Sequence, residues 1–379
     1  MLDFESQKNI KEDIIQAISQ DKNLLNTLRK DLSILKNNVH KIHSRTTTAV
    51  AMVGTDGGNN KFQFDPFLVQ VLRVVDSSNN QLFLKVVTTE TNIHELSKIH
   101  FNNDGSPADA VGNLMIELGV TSLGELSHML KSDANGKAQN SGWLSDYREI
   151  IEWASLYELL TNRVYGTDTI IIFDGLFRTK VFWPKQFDIL RSKIKEAIEK
   201  HKQNKRNIYV VGIAKHTQIL IRYRLAMMLE NILDTKYPSF VEVPTELERK
   251  VYIHDEWTSH DEEQLKNNQF NHFSAGHMYF VKFGPRPMDP IWAVDVFMYQ
   301  KSEASKIIGY LLADANNGFP VPYYPMSLQT AHNYAALVDF DYDILQGSIY
   351  TGIRNLLEEK ADVLDRFQLM DSDPASKRY

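Results

Sequence analysis

The chain has 379 residues, 43% of them hydrophobic, a formal net charge of −6 and no cysteine. That length and apolar content suffice for a large buried core, in one big domain with appendages or in two domains. The missing cysteines exclude a disulfide framework and any thiolate nucleophile or metal site, and the acidic balance excludes a generally basic nucleic-acid coat, so any nucleic acid is held by a local basic groove, by metal ions or by a partner. No apolar run approaches the roughly 18 residues that cross a bilayer. The start, MLDFESQKNIKED, lacks the basic and apolar blocks of a signal peptide. The expectation is a cytoplasmic protein with no membrane partner.

From Lys8 to His43 the pattern is helical: Ile10, Ile14 and Ile18, then Leu25, Leu28, Leu32, Leu35, Val39 and Ile42 at three- and four-residue steps. The second series is a coiled-coil-like seam, packing on its own domain or on a second subunit. His40 and His43 beside it read as surface residues. Residues 1–45 are thus set apart as an N-terminal helical segment. Strands are predicted over Thr47 to Val53, Pro66 to Val75 and Gln81 to Thr88, the last two joined by the turn-forming run Asp76 to Asn80, which suggests an antiparallel meander. Asp56-Gly57-Gly58 closes the first strand; the glycines leave room for a phosphate or metal to approach, unless this is a plain Asp-Gly turn. Residues 91–142 are polar, with short helical patterns and a run, SDANGKAQNSG, that reads as mobile or inserted.

A strong helix follows from Ser145 to Asn162, and then TDTIIIFDGLFRTK, where Ile170, Ile171, Ile172 and Phe173 run straight into Asp174. A short continuous apolar run bounded by turn residues reads as a strand covered on both faces. Asp174 stands at its carboxyl end, where open α/β sheets place ligand chemistry, or else it caps the next turn. A basic helix from Lys185 to Lys202, a strand from Ile208 to Ile213, and a helix opened by GIAKHT complete the series.

Three strands, helix, strand, helix, strand, helix is the order of the ribonuclease H-like fold, so the expected class is α/β: a mixed sheet with flanking helices, the N-terminal helical segment and a C-terminal strand-plus-helix extension. The main domain is placed at 46–340, with 91–142 as an insertion and 341–379 as a C-terminal helix and tail. Nucleases on that scaffold hold divalent metal between carboxylates on the first strand, the first helix and the fourth strand. Asp56 and Asp174 fill two places. For the third, Glu149 continues the inward stripe of Trp153, Leu156 and Leu160 and is preferred, with Glu152, turned more to the polar side, in reserve. Acidic residues in a first turn also suit the helix dipole without any metal.

In the C-terminal third, strands His277 to Phe283 and Ile291 to Tyr299 flank the turn GPRPMDP, with Asp295 either outward-facing or part of a site. A proline-rich loop leads to His332, a residue type that ligates metal or moves protons.

The ordered set DGG at Asp56, REIIEWASLYELL, IIIFDGLFR at Asp174, GIAKHT at Lys215, YFVKF with WAVDVF, and GFPVPYYPMSLQTAH ending in His332 resembles the NurA family of DNA nucleases, from about Val50 to Ala336. The resemblance implies a Mn²⁺- (or Mg²⁺-) dependent 5′ to 3′ exonuclease and single-strand endonuclease. It also implies a homodimer that works on DNA with a HerA-type hexameric ATPase, in end resection or phage defence. Asp56, a helix glutamate, Asp174 and His332 would then be metal ligands or their support. Lys215 would meet a phosphate or the scissile oxygen, or else be a solvated helix start, and Arg178 and Lys180 would grip the DNA backbone. Phe177, Phe182 and Trp183 either stack on unpaired bases or belong to the core. The other reading open to the sequence is a catalytically silent adaptor on an ATPase ring. Residues 90–142 have no counterpart in the family pattern.

Overall fold

The computed structural model describes residues 4–46, 48–53, 61–64, 67–252, 273–336 and 339–357. In chain order the helices are α1 (Phe4–Gln20), α2 (Lys22–Leu32), α3 (Ile93–Lys98), α4 (Ala110–Glu117), α5 (Leu123–Leu126), α6 (Trp143–Thr161), α7 (Pro184–Gln203), α8 (Gln218–Leu229), α9 (Thr245–Tyr252), α10 (Ala304–Ala315), α11 (Met326–Ala335) and α12 (Asp339–Leu357). The strands are β1 (His40–Lys41), β2 (Thr48–Val53), β3 (Lys61–Phe64), β4 (Phe67–Asp76), β5 (Gln81–Thr88), β6 (Thr169–Asp174), β7 (Ile208–Ala214), β8 (Ser239–Glu242), β9 (Gly276–Lys282) and β10 (Ile291–Phe297).

All ten strands join one mixed sheet, in the order β1-β8-β9-β10-β7-β6-β2-β4-β3, with β5 also on β4. Its middle is the expected arrangement. β2 and β5 lie antiparallel to β4, while β2, β6 and β7 run parallel, Ala51 opposite Ile172 and Ile172 opposite Val211. The meander followed by parallel strands is the topology of the ribonuclease H-like fold. Antiparallel β10, β9 and β8 then extend it.

Alternation along the strands assigns side chains to two faces. Ile171 and Phe173 of β6 with Ile208 and Val210 of β7 pack under α6 and α7. Ile170, Ile172, Val211 and Ile213 pack under α10 and α11. The center of the sheet is therefore covered on both sides, which explains the unbroken isoleucine run. Trp153 of α6 nucleates an aromatic cluster with Phe173, Phe177, Phe182 and Phe187.

The N-terminal segment departs from a single helix through residue 43. α2 ends at Leu32, a 3₁₀ turn spans Ser33–Asn38, and His40–Lys41 pair with β8. Ser33 Oγ bonds the carbonyl of Lys30 and Asn38 Nδ2 that of Ile34, local bonds of the kind that compete with helix propagation. Leu28, Leu32 and Leu35 are buried against α8, so this part of the seam packs within its own chain. The polar run after Lys131 is a bonded turn: Asp133 Oδ1 accepts from the amides of Asn135 and Lys137, and Asn92 Nδ2 donates to the Asn135 carbonyl. No helix among the described residues is long and apolar enough to cross a membrane.

Where β6 ends, Gly175 adopts φ +151°, a region that favours glycine, and its amide donates to Ile213. β7 approaches so closely here that a Cβ on Gly212 would overlap the Gly175 carbonyl. Gly212→Ala is therefore expected to destabilise the protein by about 1–3 kcal/mol, read as a lower urea midpoint; an unchanged midpoint would show that the strap after β6 is not fixed by β7.

Candidate functional site

Asp174 is the last residue of β6 and sits half-buried at the carboxyl end of the sheet's central strand. Tyr324, buried in the loop before α11, donates its hydroxyl to Asp174 Oδ1 at 3.1 Å. The loop is held for that task by Gln329, whose amide accepts from the Val321 N–H and donates to the carbonyls of Val321 and Tyr324. Trp292 packs on the Tyr324 ring at 4.9 Å, and Lys215 Nζ, from the turn after β7, stands 4.9 Å above the same ring. One tyrosine thus joins Asp174 to the Lys215 cation.

The second component comes from α6. Glu149 and Glu152 point to the same region, and both are drawn out of water. Burial, with the charge of Asp146 added, pushes the Glu149 carboxyl up to about 7, against a hydrogen bond from Thr179 and the charges of Arg148 and Lys180. Burial pushes Glu152 up to about 8; Glu149 and Asp174 raise it further, and Arg148, 3.7 Å away, lowers it. Glu152 is thus the glutamate that feels Asp174. Its side chain is only 17% exposed, which corrects the helical-wheel reading that turned it to the polar side. The wheel places Cβ atoms, but a glutamate's two further methylenes let its carboxylate reach across that boundary.

The strap from Asp174 to Lys180 binds the two components together. Thr179 serves Glu149, and Lys180 acts electrostatically on Glu149 and Asp146. Between them, Arg178 departs from the expectation of a DNA grip. Its side chain is 9% exposed, bonded to Glu248 of α9 at 2.6 Å and to Asp295 of β10 at 3.0 Å, over the ring of Tyr252. Burial works against its charge, but Asp295 and Glu248 hold its pKa above the ordinary value. Asp295, fully buried, also accepts from the Phe177 amide at 2.9 Å, so it faces inward, away from solvent. Phe177 and Phe182 are core, while Trp183 stays partly exposed.

Asp56 lies outside the described residues. His332 is half-buried on α11, which packs over β2 and β4. Among the described residues no three His, Asp or Glu side chains form a set that could hold a metal ion. The donors at hand are nevertheless carboxylate oxygens out of water and mutually repelling, the chemistry that suits a hard divalent cation. Sequence reasoning missed Tyr324; the available signal was a Tyr-Tyr pair in a proline-rich loop, eight residues before His332.

No protein-family model matches the chain, and no curated protein does. Among solved structures it is similar to the NurA nuclease from Sulfolobus solfataricus, with 12% identity and a TM-score of 0.39 over 92% of this chain and 97% of that one. It is similar to another NurA structure at 11% identity and a TM-score of 0.44, over 94% and 99%. A third, NurA bound to dAMP and manganese, aligns at 12% identity and a TM-score of 0.40, over 88% and 94%.

Two outcomes follow from this geometry. An acid whose folded pKa is raised adds no pH dependence below its unfolded value, here 4.5, and destabilises the fold as pH climbs from there to its folded value, about 7 for Glu149 and about 8 for Glu152. In metal-free buffer at pH 8, Glu149→Gln and Glu152→Gln should each be more stable than wild type, by on the order of 2 kcal/mol, and this gain should vanish near pH 4.5; thermal melts across that range check it. Arg178→Met leaves two carboxylates buried without their cation and should cost about 3–5 kcal/mol. Lys180→Met, at the rim, should cost under about 1 kcal/mol; equal urea midpoints for the two variants would contradict the internal ion pair.

Proposed function

We propose that the chain is a metal-dependent deoxyribonuclease that hydrolyses phosphodiester bonds in single-stranded DNA and at DNA ends. The observation that carries this reading is the pair of desolvated α6 glutamates, which repel each other, with Glu152 also set against Asp174 at the end of the central strand. Such a cluster is costly unless positive charge compensates it, and phosphodiester cleavage is a reaction that needs positive charge concentrated on a phosphate. The ordered motifs from Asp56 to His332 support the same reading.

In this reading Asp174 and Glu152 hold the cation, Asp56 and His332 complete its shell, and Glu149 stands by as ligand or proton acceptor. Bound Mn²⁺ or Mg²⁺ supplies Lewis acidity and an activated water. Tyr324 orients the Asp174 carboxylate by donating to Oδ1. Lys215, carried above the tyrosine ring, provides a cation for the phosphate or the departing oxygen. Lys180 contributes charge on the other flank, beside Glu149. The motif resemblance further supports 5′ to 3′ polarity, a homodimer, and work beside a HerA-type hexameric ATPase in end resection, double-strand break repair or phage defence, and the cysteine-free composition supports a cytoplasmic setting.

Purified protein should degrade single-stranded DNA with Mn²⁺ and not with EDTA. Asp174→Ala and Glu152→Gln should each lower the rate by on the order of 100-fold or more while DNA affinity without metal is kept. Cleavage that survives Asp174→Ala would remove this site from the chemistry, and a wild type without cleavage under any divalent cation would leave the adaptor reading in its place.

A further inference from the structure

We propose that the notch where residues 124–131 meet Trp183 takes one nucleotide of a single strand bound for the Asp174 cluster, with its base against the indole and its phosphates against Lys131 and Lys180. The choice of ligand rests on the nuclease reading; the notch itself rests on the following geometry. Of Phe177, Phe182 and Trp183, the two phenylalanines are buried and Trp183 is partly exposed. It is firmly held. Its indole Nε1 donates to the Gly124 carbonyl at 3.0 Å, its amide donates to Leu126 at 3.2 Å, and the neighbouring Val181 carbonyl accepts from Ser127 Oγ at 2.6 Å. A large ring fixed in advance loses little freedom when a base stacks on it.

Two lysines lie around this indole. Lys131 is exposed, and its Nζ stands 4.8 Å above the Trp183 ring. The His128 ring is 5.2 Å from the same ring. Lys180, three residues before Trp183, acts electrostatically both on His128 and on Glu149. Of the acids on this flank, Asp146 is engaged by Asn140 Nδ2 at 2.7 Å and Glu125 by the amides of Thr121 and Ser122. A partly exposed indole with an exposed lysine over its ring and a second lysine three residues away form a stacking platform with phosphate contacts, the combination that binds single strands without reading sequence. A duplex, whose bases are already stacked, cannot use the indole. When a base arrives, Lys131 can swing from the ring to the adjoining phosphate.

Fluorescence anisotropy of a labelled oligothymidine, with EDTA present so that no cleavage is involved, tests the notch separately from the chemistry. Trp183→Ala should weaken binding about 5- to 100-fold, the range for losing one base–aromatic stack, with duplex binding unchanged and Trp183→Phe restoring most of the loss. Lys131→Gln, at an exposed position, should flatten the dependence of log affinity on log salt by about 0.7. The proposal is overturned if both Trp183→Ala and Lys131→Gln bind as wild type, if Trp183→Phe is as weak as alanine while Lys131→Gln is normal, or if wild type binds no oligothymidine. A protein that binds through the notch and never cleaves DNA overturns the nuclease reading alone; one that cleaves with both variants normal overturns the notch alone.

Discussion

Carboxylates drawn out of water and set against one another raise each other's free energy, and the region around Asp174 is arranged to hold them there. Tyr324 donates to one oxygen of Asp174, Thr179 donates to Glu149, and Arg148 lies beside Glu152. These contacts do not discharge the cluster, because burial still dominates both glutamates. They fix its geometry while leaving its affinity for positive charge in place. The strap that carries Asp174 and Thr179 has to be rigid for this, and its rigidity comes from behind. Arg178 locks onto Asp295 and Glu248, Asp295 also takes the Phe177 amide, and Gly276 leaves the space that Asp295 occupies, since a Cβ there would come within 2.7 Å of the aspartate's own. A buried ion pair is poor evidence for stability, but it defines one arrangement of the chain sharply.

Much of this frame is legible in the sequence, for identifiable reasons. The run Ile170 to Phe173 could only be a strand covered on both faces, and the meander and the β9–β10 hairpin follow from alternation and turn residues. The strands that escaped notice are short: β3 spans four residues, β8 four and β1 two, each too brief to set up a period. Their places depend on long-range pairing, such as His40 opposite Phe240, which no local pattern contains. The site was legible in its residue types and less so in its directions. Asp174 stands where strand-end logic puts it, yet Glu152 turns inward against the helical wheel. Arg178, an arginine beside a candidate site, points away from solvent because two acids distant in sequence, Glu248 and Asp295, wait behind it. Tyr324 was hidden for a similar reason, since its meaning lies in reaching a residue 150 positions earlier.

The net charge of −6 stands against nucleic-acid binding only if charge is averaged over the whole molecule. At physiological ionic strength exposed charges act over roughly 8 Å, so what a strand meets is local. Around Asp174 that local field has both signs in separate places. Lys215 lies over the ring of Tyr324, which donates to Asp174, Lys180 acts on Glu149, and Lys131 lies over Trp183. An anionic backbone approaching the surface is attracted at the rims and repelled at the center unless a cation is already there. On the proposed reading that sequence of signs would make binding and chemistry separable: the rims would hold the strand with or without metal, while entry of a phosphate to the carboxylates would depend on charge supplied from solution. An all-basic surface would bind DNA more tightly and lose this dependence, so the acidic balance of the chain is compatible with a nuclease whose cutting, more than its grip, is under control of the metal.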